Sequence, residues 1–242
     1  MKFNARFVLC SGLAALFLSP AAFANEALVK KSVEAWLGTS GPRVENVRKT
    51  GALGLYEVQV DGELIYTDEK VTHIIIGEVI EASSRKNLTE ERKQKLAQIK
   101  FSDLPLDLAV KQVKGNGKRL LATFEDPNCS YCKKLAQELQ GVNDVTIYTF
   151  IYPILSPDST EKAKNLWCAS DRVKAWNDFM INNQAPASKN CNHPTEKVVA
   201  LGKKLNIRGT PTMFFADGSR VPGYMPMNIL EKALDRGSAN TK

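Results

Sequence analysis

Apolar positions recur along the chain with two periods, and the changes of period mark the elements. From Ala27 to Leu37, the residues Leu28, Val29, Val33, Trp36 and Leu37 share one side of a predicted helix, with Gly38 just past its end. Alternation follows. Tyr56, Val58 and Val60 lead into an Asp61-Gly62 turn, Leu64 to Thr67 forms the return, and Val71 to Glu81, centred on Ile74, Ile75 and Ile76, reads as a further strand. A helix-plus-meander unit of this size is marginal alone, and its edge strands need covering, so dimerisation through it is expected. Asn87 to Lys100 is highly charged, with Glu90 and Glu91 early and Lys93 and Lys95 late. Leu88, Leu96 and Ile99 are too sparse to bury a full face, so the stretch reads as a helical linker that ends at Ser102-Asp103-Leu104-Pro105.

Beyond that break the pattern changes character. Leu120 to Phe124 is a short apolar strand between the charged, Gly-containing run Lys114 to Arg119 and Asp126-Pro127. A helix should follow, with Leu135 and Leu139 at i, i+4, Asn128 as its cap and Gly141 at its end. Val145 to Tyr152 is strongly strand-like and Pro153 stops it. Helical patterns come next at Ala163 to Cys168, Val173 to Ile181 and Glu196 to Leu205. Pro211 then stands directly before the apolar run Thr212 to Phe215, where a cis Thr210-Pro211 bond would account for it. Asp217-Gly218 turns the chain into Arg220-Val221, Pro226 to Leu234 makes a closing helix, and Ser238 to Lys242 reads as a loose tail. The predicted architecture is an α+β N-terminal domain (25–85), a helical linker (86–104) and an α/β domain with a helical insertion (105–242).

The first 24 residues have a different pattern. Lys2 and Arg6 precede the apolar Phe7 to Leu18, and Ala22-Phe23-Ala24 is a small-x-small site, as in a secretory signal peptide cleaved before Asn25. The apolar run is shorter than the roughly 20 residues a membrane span needs. Its removal takes away Cys10 and leaves an even set of cysteines, in a compartment that permits disulfides. It also lowers the formal net charge of +7 to about +5. Basic residues are scattered among acids, which favours a solvated surface over nucleic-acid binding. His73 reads as an ordinary strand residue.

Cys129 and Cys132 carry the candidate chemistry. They lie where the apolar strand gives way to the helical pattern, so Cys129 falls at a helix N-terminus, where free N–H groups and the positive dipole end favour a thiolate. One cysteine can attack a disulfide and the other, a turn away, can resolve the product. An ordinary cysteine is roughly 3% thiolate at neutral pH, and a lowered pKa raises that fraction while reducing intrinsic nucleophilicity by a similar factor. The gain is therefore a better leaving group and a stabilised reduced form. A zinc half-site and an inert structural disulfide are the competing readings; for zinc a second close pair is missing, since Cys168 and Cys191 are distant and His193 is the only plausible extra ligand nearby, and the strand-to-helix context favours a redox pair. No metal or other cofactor is expected. Cys168 and Cys191 are expected to form a structural disulfide closing a loop-like stretch, against the alternative of a second redox centre.

In order, FEDPNCSYC, LWCASDRVKAW, GTPTMFF and VPGY resemble the bacterial periplasmic disulfide isomerases of the DsbC/DsbG family, nearer to DsbC, with a thioredoxin-like second domain. The resemblance covers nearly all of the chain after the leader. It implies a homodimer built through the N-terminal units, a shared apolar cleft for misfolded disulfide-containing exported proteins, chaperone-like binding, and reduction by the membrane reductase DsbD. It also implies that Cys129 attacks, Cys132 resolves, Thr210 and Pro211 form the adjoining cis-proline loop, and Cys168 with Cys191 is the non-catalytic disulfide. Ser130 and Tyr131 complete the active-site loop, and Ser130 departs from the Gly or Pro found there in the family. Thioredoxin has a buried acid six residues before its first active cysteine; Thr123 holds that place here, leaving Glu125 or water as acceptor for the Cys132 proton. The alternatives are a DsbA-like oxidase, a redox-independent holdase and a DsbG-like reductase of sulfenylated cysteines. Asn128-Cys129-Ser130 matches a glycosylation acceptor, and a glycan there would obstruct the site, which favours the bacterial periplasm.

Overall fold

The computed structural model describes residues 20–239, with side chains from 25 onwards. The expected signal peptide (1–24), with Cys10, lies outside the residues whose side chains are described. Among the described residues no helix is long and apolar enough to cross a membrane. The chain divides into two compact units, one up to Val79 and one from Ile80.

The first unit is helix α1 (Pro20–Leu37) and a four-stranded antiparallel sheet of β1 (Val44–Lys49), β2 (Tyr56–Val60), β3 (Glu63–Thr67) and β4 (Ile74–Ile75) in that order. Among the described side chains of α1, Val29 and Val33, at i, i+4, are the fully buried ones and pack with Val44, Val47, Tyr56, Val58 and Ile65. The expected apolar face is narrower than the sequence pattern: Leu28 is 62% and Trp36 57% exposed, because both point away from the Val29–Val33 stripe. Strand β1 was not anticipated. Arg48 on β1 donates to Glu57 on β2 at 2.8 Å, so the buried carboxylate is paired. The strand expected over Val71 to Glu81 is broken into pieces. Asp68 accepts the Thr72 N–H at 2.7 Å and the Val71 N–H bonds the Asp68 carbonyl, which forces Val71 to φ 55° and delays pairing to Ile74.

The second unit opens with a two-stranded ribbon, β5 (Ile80–Glu81) and β6 (Lys86–Asn87), and α2 (Leu88–Leu96). Asn87 caps α2 by accepting the Glu90 N–H at 2.9 Å. The helix stops at Leu96 rather than reaching Lys100. Past it, Ile99 donates its N–H to the Gly218 carbonyl and joins the core around Phe101 and Leu104. Gly218, at φ +79°, is required there: a Cβ would stand 1.7 Å from the Ile99 oxygen.

The remaining elements are β7 (Val110–Lys114), β8 (Arg119–Glu125), α3 (Ser130–Gly141), β9 (Val145–Ile151), α4 (Pro157–Trp167), α5 (Arg172–Asn182), α6 (Thr195–Lys204), β10 (Thr212–Phe215), β11 (Arg220–Pro222) and α7 (Met227–Ala239). The sheet order is β11-β10-β8-β9-β7, with β8 and β9 parallel and the other pairs antiparallel. This is a thioredoxin-like sheet with a helical insertion. Period-two alternation splits the central strand between two cores. Leu121 packs with Leu135 and Leu139 of α3 and with Leu230 and Leu234 of α7, while Ala122 and Phe124 face Phe150, Tyr152, Val198 and Phe214. A third apolar cluster joins α3 to the inserted helices through Ala136, Leu166, Trp167, Trp176 and Phe179. Strand β7 was missed in the sequence because it is an edge strand carrying Lys111 and Lys114, with only Val110 buried. The expected tail is shorter too, since α7 continues through Ser238, whose hydroxyl donates to the Leu234 carbonyl.

Candidate active site

The site forms where β8 ends. After Glu125 the chain makes a tight turn over 126–129, and Asp126 organises it from inside. Its Oδ1 accepts the Asn128 N–H at 2.8 Å and the Ser159 hydroxyl at 2.7 Å, and its Oδ2 accepts the N–H groups of Ile154 and Leu155 at 2.7 and 2.9 Å. The Cys129 N–H bonds the Asp126 carbonyl at 3.0 Å. One buried side chain thus fixes the redox turn, the loop after β9 and the start of α4.

Cys129, rather than the expected Asn128, caps α3: its sulfur accepts the Cys132 N–H at 3.3 Å. Asn128 is held elsewhere because its amide donates to Ser156, Asp158 and Ser159, each at 3.0 Å, while Lys162 donates to its oxygen at 2.8 Å. Gly141 is the last residue of α3 and Val142 its C-cap, so Gly141 does not act as a left-handed cap.

Cys129 and Cys132 are both free thiols. A hydrogen bond from the Cys132 thiol, first of all, brings the Cys129 pKa down to about 6, with Thr210 and the N–H groups of Cys132 and Tyr131 adding to it against the cost of burial. In its thiol form Cys129 donates to the Thr210 carbonyl 3.3 Å away. Cys132 is 0% exposed, and burial drives its pKa far upwards. The two sulfurs therefore stand in opposite electrostatic conditions one helical turn apart.

The Thr210-Pro211 peptide bond is cis, and Thr212 pairs with Phe124 in the sheet, which brings this loop to the Cys129 turn. Ser130 opens α3. Tyr131 follows it, 55% exposed, with its ring 6.3 Å from that of Tyr224 and the Lys134 ammonium 5.1 Å above it. Cys168 and Cys191 form a disulfide with Cα atoms 5.6 Å apart, and Cys168 packs against the cluster around Trp167. Among the described residues no group of three or more His, Cys, Asp or Glu could hold a metal ion; the His193 ring instead shares a hydrogen bond with the Thr195 hydroxyl.

Sequence reasoning used Asp126 only as a strand boundary and gave it no role in the site. An acid between a buried strand and a helix start is a signal for such a turn, but its partners lie about 30 residues on and cannot be read locally.

Residues 20–90 match the family model described as the disulfide bond isomerase protein N-terminal domain, and residues 106–238 match a thioredoxin-like domain. A probable thiol:disulfide interchange protein DsbC of Bordetella parapertussis is 52% identical over 191 residues, covering 79% of this chain and 68% of that relative. The thiol:disulfide interchange protein DsbC of Escherichia coli K12 is 28% identical over 226 residues, covering 91% of this chain and 94% of the relative. Among solved structures, a disulfide interchange protein from Neisseria gonorrhoeae is 41% identical, with a TM-score of 0.54, covering 56% of this chain and 99% of that one. With a fold and thiol chemistry that agree with these relatives, the chain belongs to the DsbC family of thiol:disulfide interchange proteins and is a disulfide oxidoreductase.

Proposed function

We propose that the protein isomerises or reduces incorrect disulfides in exported proteins, with Cys129 attacking and Cys132 resolving. The observation that carries this reading is the contrast between the two sulfurs, one with its pKa lowered to about 6 at the start of α3 and the other fully buried behind it. The Cys129 thiolate attacks one sulfur of a substrate disulfide and the other leaves as thiolate. The mixed disulfide then rearranges within the substrate, regenerating Cys129. In the escape route Cys132 displaces the substrate, which leaves reduced while the Cys129–Cys132 disulfide forms.

Ser130, Tyr131, Thr210 and Pro211 form the active-site loops around Cys129, and the Cys168–Cys191 disulfide serves the inserted helices. Exposed apolar side chains near the redox turn, Tyr131 and Leu155 among them, support capture of apolar segments and hence a chaperone-like contribution. On this reading residues 1–24 export the chain to the periplasm, 25–85 dimerise it, 86–104 link the domains, and 105–242 carry the chemistry. The membrane reductase DsbD is the proposed source of electrons for the Cys129–Cys132 pair.

The test is recovery of native activity by a scrambled multi-disulfide substrate in glutathione buffer, with the protein beside its Cys129→Ser variant. Accelerated recovery that disappears in the variant is the expected result. Equal recovery with both would leave only holdase activity, measured as suppression of aggregation by the Cys129→Ser, Cys132→Ser double variant.

A further inference from the structure

The motif VPGY, residues 221–224, has no role in the exchange proposed above, yet its last residue lies beside the redox turn. Strand β11 pairs with β10 so that Pro222 opposes Thr212, and the Gly223 N–H donates to the Pro211 carbonyl at 2.7 Å. Gly223 then turns the chain towards α3 at φ +104°, where a side chain would be strained. Tyr224 is received there by Glu138: the Tyr224 hydroxyl donates to Oε1 at 2.6 Å, while Oε2 accepts the Met227 N–H at 3.1 Å. Both carboxylate oxygens are thus engaged, and Tyr224 packs against the core around Leu135 and Leu139.

Tyr131 reaches the same place from the redox turn. Its N–H bonds the Cys129 sulfur, so its side chain leaves the backbone next to the reacting atom, and more than half of it is exposed. The Tyr131 and Tyr224 rings stand 6.3 Å apart and tilted by 36°. In the core, by contrast, Phe124 and Phe150 stack at 4.6 Å and 9° and are fully buried, so their facing surfaces are closed. The tyrosine pair is splayed and open to solvent. A third ring can join such a pair in a tilted or edge-on arrangement.

The charges around the rings narrow the class of side chain that fits. The Lys134 ammonium stands 5.1 Å from the Tyr131 ring centroid and already holds that cation–π position. Lys133 is turned away, donating to Asn183 and lying over the Phe179 ring. A substrate lysine or arginine would meet the Lys134 charge. A substrate carboxylate would meet the negative faces of the rings and the Glu138 carboxylate behind Tyr224. An uncharged ring meets neither cost.

We propose that Tyr131 and Tyr224 form a subsite that selects disulfides with an aromatic side chain beside the attacked cysteine. Cys129 bonds a substrate sulfur only when that residue's backbone comes up to the turn, and a side chain next to it then lies within reach of Tyr131, two residues along, and of the Tyr224 ring beside it. The Cys129–substrate S–S bond forms as the substrate disulfide breaks, and the second substrate sulfur leaves as thiolate. The ring stays packed on the tyrosines throughout and holds the adduct in place. Large aromatic side chains are mostly buried in finished folds, so a cysteine with a bare ring next to it marks a chain that is not yet correctly folded. Selection for that ring directs the exchange to incorrect disulfides.

This inference rests on the exchange at Cys129 proposed above, and the experiment separates the two. The protein without its leader, carrying Cys132→Ser so that adducts are not resolved, is reacted with mixed disulfides of 2-mercaptoethanol and the peptides acetyl-Gly-X-Cys-X-Gly-amide, with X as Phe, Ala, Lys or Glu. Adduct formation is followed by mass spectrometry over a range of peptide concentrations. The Phe peptide is expected to reach half its maximal rate at a concentration about tenfold lower than the Ala peptide, and the Lys and Glu peptides to gain nothing over Ala. Adding Tyr224→Ala or, separately, Tyr131→Ala should bring the Phe-to-Ala ratio down to about twofold; the ratio is taken within each variant, so a general loss of reactivity does not imitate the effect. Glu138→Ala releases the Tyr224 hydroxyl and should lower the ratio, whereas Glu138→Gln keeps an acceptor and should restore it. Equal half-saturation for Phe and Ala, a preference for Glu, or a Phe preference that survives in both tyrosine variants would overturn the subsite. Adducts formed without selectivity would leave the exchange reading standing, while no adduct with any peptide would remove that reading and this inference with it.

Discussion

A dithiol centre works only if its two sulfurs differ, and here the difference is made by single side-chain environments. Cys129 gains hydrogen bonds to its charged form from Cys132 and from the first turn of α3, whereas burial first, and then the Cys129 hydrogen bond and the nearby negative charges, disfavour the charged form of Cys132. Iodoacetamide should therefore modify reduced Cys129 with a rate that rises to half its maximum near pH 6, and leave Cys132 untouched in the folded protein; a midpoint near that of free cysteine would contradict the assignment. Glu125 makes a second residue-scale prediction, on stability. Its pKa is raised from the ordinary 4.5 to about 8, so its contribution is fully favourable below the lower value and is lost as pH rises through the upper one. Glu125→Gln should be more stable than wild type by on the order of 3 kcal/mol at pH 8 and about equal to it below pH 4, measured by urea unfolding.

At the scale of elements, what was legible depended on how local the cause is. The strand-to-helix junction at Cys129, strands β2, β3, β8 and β9, and the inserted helices α4, α5 and α6 all announce themselves by period and by nearby turn residues. Strands β1 and β7 do not, since both are edge strands with few buried positions, Val44 and Val47 on β1 and Val110 on β7, among polar or exposed neighbours. On α1 the apolar pattern includes Leu28 and Trp36, and only the sheet that covers Val29 and Val33 reveals which residues form the buried stripe. In the site the two cysteines are readable from spacing and context. The Asp126 cluster is not, because its donors come from Ile154, Leu155 and Ser159 on another part of the chain. That cluster ties the redox turn to the loop after β9 and to α4, so Asp126→Ala leaves buried donors without acceptors. The cost should be on the order of 3 kcal/mol in urea unfolding of the oxidised protein, with a smaller loss for Asp126→Asn, which keeps one acceptor oxygen. An equal loss in both variants would mean that the charge, rather than the number of acceptors, holds the turn.

For the molecule as a whole, the two units have different surface requirements. The second unit buries three apolar clusters on and around a five-stranded sheet, while the first has a single small core under one helix. The first also ends its sheet on β4, a two-residue edge strand with Ile76 just beyond it 80% exposed and Ile75 half-exposed. Short edges with bare isoleucines are covered in stable proteins, and the dimer proposed for residues 25–85 would cover this one with a second copy. Sedimentation equilibrium at micromolar concentration should then give a dimer for the protein without its leader, and Ile76→Glu should shift it towards monomer, since a charge at a closely packed symmetric contact is introduced twice. The variant should keep the wild-type pH profile of Cys129 alkylation, because that reactivity is set within the second unit. A variant that stays dimeric would place the contact elsewhere on the first unit. One that turns monomeric and also loses Cys129 reactivity would show that the redox turn depends on assembly, contrary to the local hydrogen bonds that account for it here.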